Sequence, residues 1–191
     1  MAIKIFIDQG HNPGTVNAGA NAQGVEEQYI NYEVGTKLAN LLRADSRFEV
    51  RTSRAYPGEV LGYNASSSLA IRVNAANSWP ADYFLSIHSN SNPNPAINGA
   101  EMYIYEFGTQ AEYLAQHILN RIVQIVGVRN NGVRENPSLY VLRRTAMPAV
   151  LVELGYMSNS SDLQKLVNDQ DAYAYAIYMG LLDYFGLEPL G

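Results

Sequence analysis

Apolar and polar positions follow two rhythms along this chain, and the switches between them mark out its elements. Ile3 to Ile7 is a short β-branched run bounded by Gly10, the pattern of a buried strand. From Glu26 to Leu42 the apolar positions Ile30, Val34, Leu38, Leu41 and Leu42 recur at helical spacing, which predicts an amphipathic helix. Phe48 to Thr52 alternates as a strand does, and Ser68 to Ser78 predicts a helix stopped by Pro80. Tyr83 to Ile87 is a second apolar strand, followed by the Asn- and Pro-rich loop Ser89 to Gly99. Ala100 to Tyr105 reads as a strand, and Ala111 to Val126 as a helix with Leu114, Ile118, Ile122 and Ile125 on one face. Pro148 opens "PAVLVEL", a third core strand. Ser160 or Ser161 is placed to cap a helix beginning at Asp162, and Asp171 to Phe185 is the last helix.

Strands alternating with helices predict an α/β fold. The expectation is a single domain over residues 1–191. Its central sheet has about six strands, mostly parallel or mixed, with helices on both faces. With 191 residues the chain builds one core of good size and leaves no room for a second ordinary domain, such as a separate wall-binding module.

Composition narrows the chemistry. The formal net charge of −5 and pI near 5.1 argue against nucleic acid, whose binding rests on clustered cations. There is no cysteine, hence no disulfide, thiolate nucleophile or cysteine-based metal site. The N-terminus lacks the basic-then-apolar pattern of a signal peptide. The most apolar late run, Ala172 to Leu182, is too short to span a bilayer, so membrane insertion is not expected.

Two of the three histidines stand where apolar runs stop. In open α/β sheets, ligands bind beyond the carboxyl ends of the strands. The first strand leads into Asp8 and His11, the strand from Tyr83 into His88, and the strand from Ala149 into Glu153. Two imidazoles and one carboxylate are a ligand set for catalytic zinc. Each residue also has a plainer reading. His11 fits a loop histidine after Gly10, His88 a hydrogen-bonded core histidine, and Glu26 and Glu27 first-turn helix acids. Glu153 fits an ion-pair partner for Arg143 or Arg144, and His117 a solvated helix residue. Asp8 is a candidate to orient a ligand histidine, or a turn residue.

The order of these residues adds a resemblance. "IDQGHNPGTVNAGA", "GVEEQYIN", "RVNAANSWPADYFLSIHSN", "GAEMYIY" and "LYVLRRTAMPAVLVELGYMSN" occur in sequence over about Ile3 to Tyr184. Together they resemble the zinc-dependent N-acetylmuramoyl-L-alanine amidases of the amidase-3 family. The family's glycine–histidine motif falls on Gly10 and His11, and its glycine with a glutamate three positions on falls on Gly24 and Glu27, not Glu26. Its Ser-Ile-His-x-Asn falls on Ser86, Ile87, His88 and Asn90, and its late glutamate on Glu153, followed by Gly155, Ser158 and Asn159. Its arginine and Ala-Asn pair fall on Arg72, Ala76 and Asn77. The chain departs from the family's common Pro-Gly-His-Gly-Gly, having Gln9-Gly10-His11-Asn12-Pro13.

The resemblance implies one zinc ion held by His11, Glu27 and His88, with Glu153 moving the proton from water to the departing amine. It implies peptidoglycan as substrate, cut between the muramic acid lactyl group and L-alanine. It also implies action at the bacterial cell wall, as a phage lysin, an amidase with a trimmed export signal or a domain of a longer protein. Asn90 and Arg143 are candidate substrate contacts with equally good structural roles. Arg72 and Asn77 are expected to brace the helix before the second histidine. The loop Tyr56 to Ser67 is a plain connection or a lid. Two other functions compete: a zinc exopeptidase, which would need more acidic ligands and often two metals, and a wall-binding relative without chemistry. Oligomeric state is left unassigned.

Overall fold

The computed structural model describes residues 2–190, so Met1 and Gly191 lie outside it. The elements are β1 (Ile3–Gln9), β2 (Asn21–Ala22), β3 (Val25–Glu26), α1 (Glu27–Arg43), β4 (Phe48–Thr52), α2 (Ala65–Ser78) and β5 (Tyr83–Asn90). They continue as β6 (Ala100–Ile104), α3 (Gln110–Val126), β7 (Asn130–Glu135), α4 (Tyr140–Arg144), β8 (Ala149–Tyr156), α5 (Ser160–Asn168) and α6 (Gln170–Phe185). Six strands form one mixed sheet in the order β4-β1-β5-β8-β6-β7, and β2 and β3 make a separate small hairpin. β6 runs antiparallel to β8 and parallel to β7, while β4, β1, β5 and β8 are mutually parallel. This is the predicted α/β domain with a mixed sheet.

Side chains alternate across a strand, so each strand feeds two layers. Ile5, Ile7, Leu85, Ile87, Val150, Val152 and Met102 face the larger core, built with α1, α3 and α6. Phe6, Phe84, Ala149 and Leu151 face a smaller one, closed by Val73 and Ala76 of α2 and Val141 and Leu142 of α4. On this second face the register carries polar groups alongside the apolar ones. Asp8 stands beside Ser86, Ser86 beside Leu151, Leu151 opposite Tyr103, and Tyr103 beside Arg134. Farther along, His88 stands beside Glu153 and Glu153 opposite Glu101.

Several expectations shift. β5 runs on through His88 to Asn90, so the second histidine lies inside the strand rather than beyond it, just before a register shift between His88 and Asn90. α2 starts at Ala65 because Asn64 caps it, with Ser67 completing a reciprocal capping box. Ser68 is fully buried and is free to bond elsewhere. α5 is capped by Asn159, whose side chain accepts from the Ser161 and Asp162 amides, and not by Ser160 or Ser161. The sequence pattern did not show β7, α4 or the hairpin. β7, "NNGVRE", has no apolar alternation and includes Gly132 at φ +87°, while α4 and the hairpin strands are too short for periodicity.

Candidate metal centre

His11, Glu27 and His88 come together at the carboxyl end of the sheet. His11 Nε2 lies 3.2 Å from Glu27 Oε1, and His88 Nδ1 lies 3.2 Å from the same oxygen. The three candidate donor atoms all lie within 4.8 Å of one another. Bonds of about 2.0–2.1 Å in a tetrahedron give ligand atoms roughly 3.3–3.4 Å apart, close to the two 3.2 Å separations from Glu27. Glu26, by contrast, is exposed and bonds to Gln28.

Each donor is aimed by its surroundings. His11 sits in a turn after β1 with φ +65°, a conformation most side chains avoid. Its Nδ1 lies 3.0 Å from the Asn17 carbonyl. A carbonyl only accepts, so Nδ1 carries the proton, and neutral His11 points a bare Nε2 lone pair at Glu27. A lone pair facing a carboxylate oxygen calls for a proton or a cation between them. Burial works against a charged His11, yet the Glu27 carboxylate outweighs it and raises the imidazole's proton affinity.

Glu27 opens α1 and is 5% exposed. Its Oε2 accepts from the Ala20 amide, and its Oε1 accepts from Asn31 Nδ2 and the Ser89 amide. Burial would raise its pKa, but the two imidazoles hold it well below the usual carboxylate range. Gly10 and Gly19 leave room for the cluster. An added Cβ at Gly10 would stand 2.5 Å from His88 Nε2, and one at Gly19 would stand 2.6 Å from Glu27 Oε2.

Arg72, on the helix before His88, fastens that helix to the turn that presents His11. Its guanidinium donates to Asp8 Oδ1, the Gln9 and His11 carbonyls and Asn12 Oδ1, at 2.5–2.8 Å. Asp8 therefore orients neither histidine. It accepts from Arg72 and from the Ser86 hydroxyl, and Arg72 outweighs the effect of burial and keeps its pKa low. Asn77 spans the end of α4, donating to the Arg144 carbonyl and accepting from the Ala146 amide.

A cavity of about 300 Å³ opens beside the cluster, lined by His11, His88, Arg72 and Glu153 and by the apolar side chains of Leu69, Leu139, Val141 and Leu151. Glu153 makes no pair with Arg143 or Arg144, and its buried Oε2 has no hydrogen-bond partner among the described residues. Burial pushes its pKa well above the ordinary value, and the Glu27 and Glu101 carboxylates push the same way. Asn90 donates to Glu101 Oε1 at 2.8 Å. Arg143 reaches back to the Pro137 and Ser138 carbonyls and lines a different cavity of about 430 Å³. The structure thus gathers His11, Glu27, His88 and Glu153, and leaves Arg143 outside. Sequence reasoning missed Asn17, Asn31 and Ser89, which act through backbone or second-partner contacts, and Glu101, a lone acid in an otherwise ordinary strand.

Comparison with known proteins places this geometry. Residues 5–183 match the amidase-3 family, described as N-acetylmuramoyl-L-alanine amidase. The chain belongs to the amidase-3 family. It is 38% identical over 166 residues to the N-acetylmuramoyl-L-alanine amidase CwlM of Bacillus licheniformis, covering 86% of this chain and 60% of that protein. It is 36% identical over 186 residues to LytC of Bacillus subtilis (strain 168), covering 95% of this chain and 35% of that one. The chain thus spans about a third to three fifths of the length of these relatives. The crystal structure of N-acetylmuramoyl-L-alanine amidase from Clostridium difficile 630 superposes with a TM-score of 0.86 at 32% identity, over 98% of this chain and 99% of that one. The fold is therefore shared over nearly the whole of both chains.

Proposed function

We propose that this protein is a zinc-dependent N-acetylmuramoyl-L-alanine amidase acting at the bacterial cell wall. It would cleave the amide between the lactyl group of N-acetylmuramic acid and the L-alanine of the peptidoglycan stem. One observation carries the reading: three donors from His11, Glu27 and His88 converge on one point, beside a cavity that also holds the unpartnered Glu153 carboxyl.

A bound zinc ion would supply Lewis acidity toward the amide carbonyl and toward water. The protein's own groups do the rest. The Asn17 carbonyl fixes the His11 tautomer, and the Ala20 and Ser89 amides with Asn31 hold the Glu27 carboxylate still. Glu153, with a raised affinity for protons, takes one from water and returns it to the departing alanine amine. Leu69, Leu139, Val141 and Leu151 keep the cavity wall apolar, which strengthens each charge interaction inside it.

The test pairs metal analysis with a Glu153→Gln variant on purified peptidoglycan. About one zinc per chain is expected in both proteins. The wild type should release peptides with a new L-alanine N-terminus, and the variant should be slower by at least about 100-fold. A variant that keeps most of its turnover removes Glu153 from the mechanism, and two zinc ions per chain would favour an exopeptidase.

A further inference from the structure

The sheet face that holds Glu153 carries a polar strip running away from the metal centre toward the edge strand. From β8 it crosses Glu153, then Glu101 directly opposite on β6, then Arg134 on β7 beside Tyr103. Glu101 is 1% exposed, and its Oε1 accepts from Asn90 Nδ2, Tyr103 Oη and Tyr156 Oη. With Oε1 saturated, Oε2 is left facing Arg134, whose Nε lies 3.2 Å away. The Arg134 side chain is 54% exposed. Beyond a long contact of 3.5 Å from Nη2 to the Asn131 carbonyl, its terminal nitrogens have no hydrogen-bond partner among the described residues. A buried acid, whose Oε2 makes no hydrogen bond, thus pairs by charge alone with the inner side of a half-exposed guanidinium, leaving its outer edge open.

The direction of the strip matters. A leaving peptide that passes Glu153 and follows this strip across the sheet would meet Glu101 and then Arg134. Adjacent strands stand about 4.8 Å apart. Each residue of an extended peptide spans about 3.3–3.6 Å. The guanidinium therefore falls within reach of the first or second residue after the cleaved bond. We propose that Arg134, positioned by Glu101, anchors a carboxylate on the residue that follows L-alanine in the stem peptide, and so favours stems in which that carboxylate is free over stems in which it is amidated. A guanidinium fork matches a carboxylate with two parallel hydrogen bonds. This inference rests on the amidase reading above.

The experiment compares two soluble muropeptides that differ only in whether the carboxyl group after L-alanine is free or amidated. Arg134→Ala should raise KM for the free acid by about 10- to 100-fold, the range of a lost charge-assisted hydrogen bond. Its kcat should stay within about twofold, and its KM for the amidated substrate should not change. Arg134→Lys should recover part of the loss. The inference falls if Arg134→Ala raises KM equally for both substrates. It falls also if the variant is less stable with KM unmoved, which would make Arg134 only a counter-charge for Glu101. A wild-type protein that cleaves neither substrate overturns the amidase reading itself, and is told apart by that.

Discussion

Arg72 and Asp8 form an ion pair at 2.6 Å with both side chains 1% exposed, directly beneath the turn that presents His11. Removing one partner from such a pair strands the other charge in a low-dielectric interior. Arg72→Met should therefore cost about 3–5 kcal/mol in urea denaturation. Adding Asp8→Asn to that variant should restore part of the loss, because the stranded carboxylate is then neutral. A single-variant loss under about 1 kcal/mol would mean that the pair does not hold this turn.

Gly10 gives way to the His88 ring. A methyl there would meet His88 Cε1 and Nε2 and the Ile87 carbonyl at 2.5–2.6 Å, with backbone and ring both fixed by the sheet. Gly10→Ala is expected to lower zinc affinity by about 10- to 100-fold, the size of effect seen when a ligand's supporting contacts are disturbed. Competition with a zinc chelator measures it, and circular dichroism checks that the fold is retained.

Metal removal should lower thermal stability, since an ion bound only by the folded state stabilises it. Free zinc at about 100 times its dissociation constant adds roughly 2.7 kcal/mol. Dialysis against chelator should lower Tm and zinc should restore it. His11→Ala, which deletes one of the three converging donors, should lose this response. A Tm insensitive to zinc in the wild type would refute the site.

Asp45 supplies a pH dependence away from the cleft. It is fully buried, and Arg47 grips both of its oxygens through its side chain and backbone amide while the Tyr178 hydroxyl donates a fourth bond. The Arg47 hydrogen bonds outweigh burial and hold its pKa at about 2, against 3.8 ordinarily. A lowered carboxylate pKa stabilises the fold above the unfolded value, and that contribution is lost as the pH falls from about 4 through 2. With Arg47 partly in water, the contribution is about 1–2 kcal/mol. Asp45→Asn should flatten the stability profile between pH 4 and pH 2, and a profile of unchanged slope would exclude the pair as its source.

Asn159 is the cap of α5, and its amide also donates to the Pro95 carbonyl. Asn159→Ala should destabilise by about 1–2 kcal/mol. Ser160→Ala and Ser161→Ala should be nearly neutral by comparison. The reverse order in thermal denaturation would return the cap to a serine.

Period and order in the chain determined the α/β class, the major helices and five of the six strands of the sheet within a few residues, because burial of one face is written locally into each segment. The order of motifs also picked out His11, Glu27, His88 and Glu153, residues that the fold does bring to one end of the sheet. Tertiary structure alone decided what each of them faces. Arg72 serves the first histidine because β1 and α2 meet through side chains far apart in the chain. Glu153 stands opposite Glu101 only because β6 runs antiparallel in one particular register, and a shift of one residue would turn either side chain to the other face. β7 and α4 were silent for the same reason: their few residues are ordered by neighbours rather than by a pattern of their own. Local periodicity says which side of a segment is buried, while pairing between distant segments says what it is buried against.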